Sequence, residues 1–283
     1  MGKWRLGDEL FAQHGFQEWV SIEDGYSQYY SPGRDRNARS DYYHHLVSLG
    51  HTPNTDENRF SREYAVQLPV ELGKPAFQAG RAIDFLRRHR ASPFILHVNY
   101  LEPHTPYFSP LRDRYEDDPC RPDETYFTTN DPGFPVRYQM KQGSFARDGE
   151  FSSEARVCEI RRHYHANVTV VDRSVGLILT ELERLGLADS TIVVFTSGHG
   201  DQMSAHRLWH KEVMFQESLR VPYLVRVPGA RGGRVVKDPV SHIDIVPTML
   251  ELPGARAPES LPGQSLGPLL RDEIPAPRRP LGE

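Results

Sequence analysis

The sequence predicts an α/β protein, built on a mainly parallel, mixed sheet flanked by helices. Three observations predict it. Short apolar or β-branched runs at Phe94–Tyr100, Thr191–Phe195 and Tyr223–Val227 have the length of buried strands. A long stretch from Glu154 to Leu187, and a shorter one after Pro75, carry apolar residues at helical spacing. Strands separated by long helices require crossover connections, and these make parallel neighbours.

Taken in order, residues 21–74 are rich in Tyr, Ser, Asn, Asp, Gly and Pro and read as loops with short elements. Pro75 suits a first helical turn, Phe77, Ala79, Ile83 and Leu86 line one face, and Arg87-Arg88-His89-Arg90 suits a helix C-terminus. The strand Phe94–Tyr100 runs into Glu102-Pro103-His104-Thr105-Pro106, which cannot continue it, so His104 lies just past a strand end. Residues 107–153 read as a long excursion of Pro, Asp, Arg and Gly. The next helix carries Val157, Ile160, Tyr164, Val168, Val171, Val175, Leu179, Leu182 and Leu185, and Gly186 stops it. Thr191–Phe195 then ends at Thr196-Ser197-Gly198-His199-Gly200, and Pro228-Gly229 closes the strand at Tyr223–Val227. Residues 1–270 form one domain in this reading, and 271–283 a Pro-rich tail.

The chain has 283 residues, enough for a full hydrophobic core, and 38% of them are hydrophobic. With 34 basic against 38 acidic residues and no block of Lys and Arg, no nucleic-acid or anionic-membrane partner is expected. No apolar run approaches the roughly 18 residues that cross a bilayer. Residues 1–20 lack the basic-then-apolar pattern of a secretory signal, and the sequence leaves the compartment open. Cys120 and Cys158 make neither a disulfide framework nor a CxxC pair.

In an open parallel sheet, ligands bind beyond the carboxyl ends of the strands, which is where His104 and His199 fall. Lysine is scarce, with five residues among the 34 basic ones. Two of the five, Lys3 and Lys211, lie near motif-like segments, and an ammonium is a compact point charge suited to one oxyanion oxygen. His206 and His210 have the spacing of a helical zinc pair, but Arg207 stands where H-E-x-x-H needs its general base, and polar loop residues are the expected reading.

Four blocks in order resemble the sulfatase family of the alkaline-phosphatase superfamily. Gly2-Lys-Trp-Arg-Leu-Gly7 resembles G-K-W-H-L-G, and Leu101-Glu-Pro-His-Thr-Pro106 is similar to the P-H-x-P element. Thr191 through Ser197-Gly-His-Gly-Asp201 to Pro222 looks like the T-S-D-H-G-D segment with its following lysine. His242-Ile-Asp-Ile-Val-Pro-Thr-Met-Leu250, with Leu261-Pro-Gly-Gln-Ser-Leu266, is similar to the end of the catalytic domain.

The resemblance implies a hydrolase of small-molecule or carbohydrate sulfate esters that uses Ca²⁺ or Mg²⁺ and a formylglycine nucleophile. It makes Lys3, His104 and Lys211 catalytic residues, has these three and Arg5 bind the substrate, and makes His199 a metal ligand. Gly198 replaces the metal-ligating Asp, and Arg5 replaces an imidazole. No formylglycine motif occurs in this sequence; Cys120-Arg-Pro-Asp-Glu124 lacks the motif's Arg and falls after the P-H-x-P block, so it reads as a chance match. Met1 falls inside the first block, so the expectation is a domain lacking its N-terminal part and its small C-terminal subdomain, with activity impaired or lost. A non-catalytic anion- or partner-binding protein and a phosphodiesterase or phosphonate monoester hydrolase of the same superfamily are the alternatives.

Overall fold

The computed structural model describes residues 1–273 apart from 5, 117–119, 128–132, 150, 152 and 272. The described part of the chain divides into two compact units: residues 1–187 with 197–221, and residues 188–196 with the chain from 222 onward. The first unit holds α1 (Asp41–Ser48), α2 (Arg62–Gln67), α3 (Lys74–His89), α4 (Glu124–Phe127), α5 (Val136–Arg147), α6 (Glu154–Arg184) and α7 (Gln216–Leu219). The second holds β1 (Val193–Thr196), β2 (Tyr223–Arg226), α8 (Ile245–Glu251) and α9 (Gly267–Leu270).

Side-chain caps mark three of the helix starts. The hydroxyls of Ser40, Ser61 and Ser153 accept from the backbone N–H of Tyr43, Tyr64 and Arg156, each at 3.1 Å, satisfying donors that a first helical turn leaves open. The two long helices α3 and α6 follow the periodicity read from the sequence and pack together. Ala79, Ala82, Phe85 and Leu86 are buried on α3, and Val157, Ile160, Ala166, Val170, Val171 and Leu182 on α6. Small residues let the two backbones approach, and Arg87 Nε donates to Glu181 Oε1 at 2.8 Å near one end of the contact.

Two apolar clusters support the first unit. Ile22, Tyr42, Leu46, Ala65, Leu68 and Leu101 form one, and Tyr126, Phe151, Val157, Ile160 and Trp209 the other. Trp209 is 1% exposed and stacks on Phe151 with centroids 5.3 Å apart, which fixes the backbone two residues before Lys211.

The α/β class holds, and the pairing within it is mixed. β1 and β2 lie where strands were expected but pair antiparallel, Val193 opposite Arg226 and Thr196 opposite Tyr223. Residues 94–100 form no ladder strand, and Asn99 alone among them is bridged, in parallel, to Gly2. A run becomes a ladder strand only where a neighbour meets it, and the described residues offer this run a single partner position. Ile95 is 85% exposed, so this is not the fully buried strand its composition suggested. The 107–153 excursion contains α4 and the 12-residue α5. The 271–283 tail lies outside the described residues except for Arg271 and Glu273. No described helix is long and apolar enough to cross a membrane.

Candidate anion site

Lys3 is placed by its backbone. Gly2 N donates to Val20 O at 2.9 Å, Lys3 N to Asn99 O at 3.2 Å, and Asn99 Nδ2 to Lys3 O at 2.7 Å. Gly2 takes φ +111°, and a Cβ there would lie 2.0 Å from Asn99 O, so only glycine permits this approach. The Lys3 ammonium lies 5.6 Å from the centroid of the Tyr26 ring. Arg5, the fourth basic candidate, lies outside the described residues.

His104 follows Asn99 by five residues and meets Lys211. Lys211 Nζ donates to His104 Nε2 at 3.2 Å. An ammonium is only a donor, so Nε2 holds its lone pair toward Lys211 and the ring proton sits on Nδ1, which donates to Thr105 O at 3.1 Å. Burial lowers the His104 pKa to about 4; the Thr105 hydrogen bond opposes that shift, and the charges of Lys3 and Lys211 add to it. His104 is therefore a neutral imidazole beside a full positive charge at neutral pH.

His199 sits in the Ser197–Asp201 turn. Its Nδ1 donates to Gly200 O at 2.7 Å, and Gly200 N donates to Ser218 O at 2.8 Å. A Cβ at Gly200 would lie 1.9 Å from Glu217 O, which explains the second glycine of Gly198-His-Gly200. Burial is the largest cause lowering the His199 pKa, and Lys211 and Lys3 push it further down. The structure thus brings Lys3, His104, Lys211 and His199 into one electrostatic neighbourhood, with a direct contact between His104 and Lys211.

The donor set does not fit the divalent cation that the resemblance implies. Ca²⁺ takes six to eight oxygen ligands, and no group of three or more His, Cys, Asp and Glu side chains able to hold a metal occurs among the described residues. Gly198 contributes no side-chain oxygen, although its position is open: a Cβ there meets nothing within 4 Å, and its φ lies outside the left-handed region. The zinc alternative fails on geometry. His206 stacks on Phe215 with centroids 3.9 Å apart, whereas His210 stacks on Tyr107 at 5.8 Å, and residues 205–207 form a single 3-10 turn in place of a helix. Cys120 is fully buried and burial raises its thiol pKa, which disfavours the nucleophilic thiolate.

Tyr107 was not singled out by sequence, and neither was its link to Asp201 and His210. Tyr107 OH donates to Asp201 Oδ2 at 2.5 Å and lies 3.0 Å from His210 Nδ1, while His210 N donates to Asp201 Oδ1 at 2.9 Å. Tyr107 and Asp201 are 94 residues apart, so no local pattern links them.

The site as a whole is a cluster of two ammonium and two imidazole groups on an α/β protein. Comparison with solved structures supports the fold. The chain superposes on the phosphonate monoester hydrolase of Agrobacterium radiobacter with a TM-score of 0.65 at 24% identity, covering 88% of this chain and 53% of that one. The profile of the sulfatase family matches residues 2–255, and the protein belongs to that family. It is 32% identical over 216 residues to an endo-4-O-sulfatase of Bacteroides thetaiotaomicron, 74% of this chain and 39% of that protein. It is 28% identical over 268 residues to a choline-sulfatase of Rhizobium meliloti, 91% of this chain and 51% of that protein. The chain spans about half, or less, of the length of the curated relatives it matches.

Proposed function

We propose that this protein is a sulfuric ester hydrolase of small-molecule or carbohydrate esters, in which Lys3, His104 and Lys211 bind the sulfuryl oxygens. The observation that carries this reading is the Lys211–His104 contact at 3.2 Å, with both Lys3 and Lys211 acting on the same buried imidazole. Two ammonium groups in a partly desolvated site attract an oxyanion more strongly than they would in water. The neutral Nε2 of His104 gives Lys211 a partner until the anion arrives. Once an anion offsets the two positive charges, protonating His104 costs less, so this imidazole can share or deliver a proton at the ester oxygen. The names of the endo-4-O-sulfatase and choline-sulfatase relatives support a sulfate ester as the substrate class. The phosphonate monoester hydrolase resembles this chain at 24% identity, which supports a shared fold alone.

Catalysis by the chain as it stands is impaired in this reading. Position 198 supplies no carboxylate for a cation, and the sequence holds no formylglycine motif, so oxyanion binding persists without the nucleophile that would complete hydrolysis. Calorimetric titration with inorganic sulfate tests the reading. Binding is expected, with a loss of about ten-fold or more in Lys211→Met, the effect of removing one charged hydrogen bond. Hydrolysis of an aryl sulfate in millimolar calcium should stay at the buffer rate. Sulfate binding unaffected by Lys211→Met would contradict the assignment of Lys211, and turnover above the buffer rate would contradict the impairment.

A further inference from the structure

Lys211 projects from a backbone that is held in an uncommon conformation. The residues on either side of it, His210 and Glu212, take φ of +65° and +73°, in the left-handed region that side chains other than glycine rarely enter. Such positions persist where surrounding contacts over-determine them. Those contacts are present. Gln202 N donates to His210 O at 2.8 Å, and Lys141 Nζ donates both to Lys211 O at 2.9 Å and to Glu212 Oε2 at 2.8 Å.

A further contact reaches the His104 segment. Tyr107, three residues beyond His104, has one hydroxyl proton and directs it to Asp201 Oδ2 at 2.5 Å. The phenol oxygen is then an acceptor, and His210 Nδ1–H at 3.0 Å is its donor. Asp201 Oδ1 in turn accepts from the backbone of His210, at 2.9 Å, and of Met203, at 3.1 Å. Two chain segments, one ending in His104 and the other in Lys211, are thus fastened by a closed trio of Asp201, Tyr107 and His210.

We infer that Tyr107 is a positioning residue, whose hydroxyl, through Asp201 and His210, holds the Lys211 ammonium against His104 in the geometry that receives an oxyanion. The inference rests on the reading of Lys211 as an oxyanion ligand. Without the hydroxyl, the polar tie between the segments is lost, and ring contacts of Tyr107 with Trp209 and His210, which are less directional, remain beside the Lys211–His104 hydrogen bond. The left-handed backbone at His210 then keeps its bond to Asp201 Oδ1 but loses the tie that its ring makes to the Tyr107 hydroxyl.

Tyr107→Phe tests this. The ring stays against Trp209 and Tyr164, whose centroids lie 6.1 Å and 6.0 Å away, and only the hydroxyl is lost. Two readouts are taken on the full chain: calorimetric affinity for inorganic sulfate, and the titration of His104 followed by nuclear magnetic resonance. Tyr107→Phe should bind sulfate about ten-fold more weakly and move the His104 titration upward, toward that of Lys211→Met. A residue with a merely structural role would lower the melting temperature without moving the His104 titration. Asp201→Asn, which weakens the same tie from its other end, should shift both readouts in the same direction, and it decides the matter if Tyr107→Phe does not fold. Wild-type affinity and an unmoved His104 titration in a folded Tyr107→Phe or Asp201→Asn variant would overturn the inference, provided Lys211→Met has lost sulfate. If Lys211→Met itself binds sulfate normally, the reading of Lys211 fails, and the role of Tyr107 falls with it.

Discussion

Glu23→Leu is expected to destabilise the protein by about 3–5 kcal/mol, the largest loss among the substitutions considered, because it leaves the buried Lys74 ammonium and the partly buried Arg62 without their counter-charge. Glu23 is buried, and it accepts from Lys74 Nζ and from Arg62 Nε, the latter at 3.0 Å to Oε2. Lys74 is itself buried at the start of α3 and cannot recover hydration by turning outward. Burial by itself would raise the Glu23 pKa, but the charges and hydrogen bonds of Lys74 and Arg62 outweigh it and hold the carboxyl at about 2. A carboxylate with a depressed folded pKa contributes stability that is present above its ordinary value and lost as pH falls through the folded one. The parent protein should therefore lose this contribution between about pH 4.5 and 2, whereas Glu23→Leu has none to lose. Urea unfolding at neutral and acid pH measures both quantities, and an unchanged midpoint at neutral pH would contradict the account.

Glu9→Gln is expected to act in the opposite direction. Glu9 is 4% exposed, and neither of its carboxylate oxygens has a hydrogen-bond partner among the described residues. Burial first, and the Glu23 charge second, raise its pKa to about 8, against the opposing pull of Lys3, Arg62 and Lys74. Here the sign reverses. The folded state holds the proton more tightly than the unfolded chain, so stability is full below about pH 4.5 and declines as pH rises to about 8. Gln cannot ionise and removes that decline. At pH 8 Glu9→Gln should exceed the parent by about 2–4 kcal/mol, with little difference near pH 5, given about 1.4 kcal/mol per unit of pKa shift. Thermal melts across this range measure the difference. Parallel curves for the two proteins would show that Glu9 ionises normally in the folded state.

The sequence was informative where the placement of a residue depends on short-range order. The runs that carry His104, His199 and Lys211 were legible because each is a contiguous motif, and the structure brings them together, with Lys211 and His104 in direct contact. The helices α3 and α6 were legible because each buries one continuous face against the other. α5 was not, because its apolar residues do not make a buried stripe: Val136 and Met140 are 72% and 70% exposed. The pairing of β1 with β2 and the thin pairing of Phe94–Tyr100 depend on which neighbour each run meets, and composition does not encode that. The trio of Tyr107, Asp201 and His210 and the buried carboxyl of Glu9 were illegible for the same reason. Tyr107 and His210 lie 103 residues apart, and nothing near Glu9 in the sequence says that its side chain is buried without a hydrogen-bond partner among the described residues.

The central claim is that Lys3, His104 and Lys211 form one oxyanion site around a neutral imidazole. The measurement that tests it most directly is the titration of His104, observed by nuclear magnetic resonance without and with saturating inorganic sulfate. In the absence of sulfate His104 should titrate at about 4, with its proton on Nδ1; bound sulfate offsets the neighbouring ammonium charges and should move that titration upward. A His104 that titrates near the ordinary histidine value of about 6.5 and does not respond to sulfate would contradict the account.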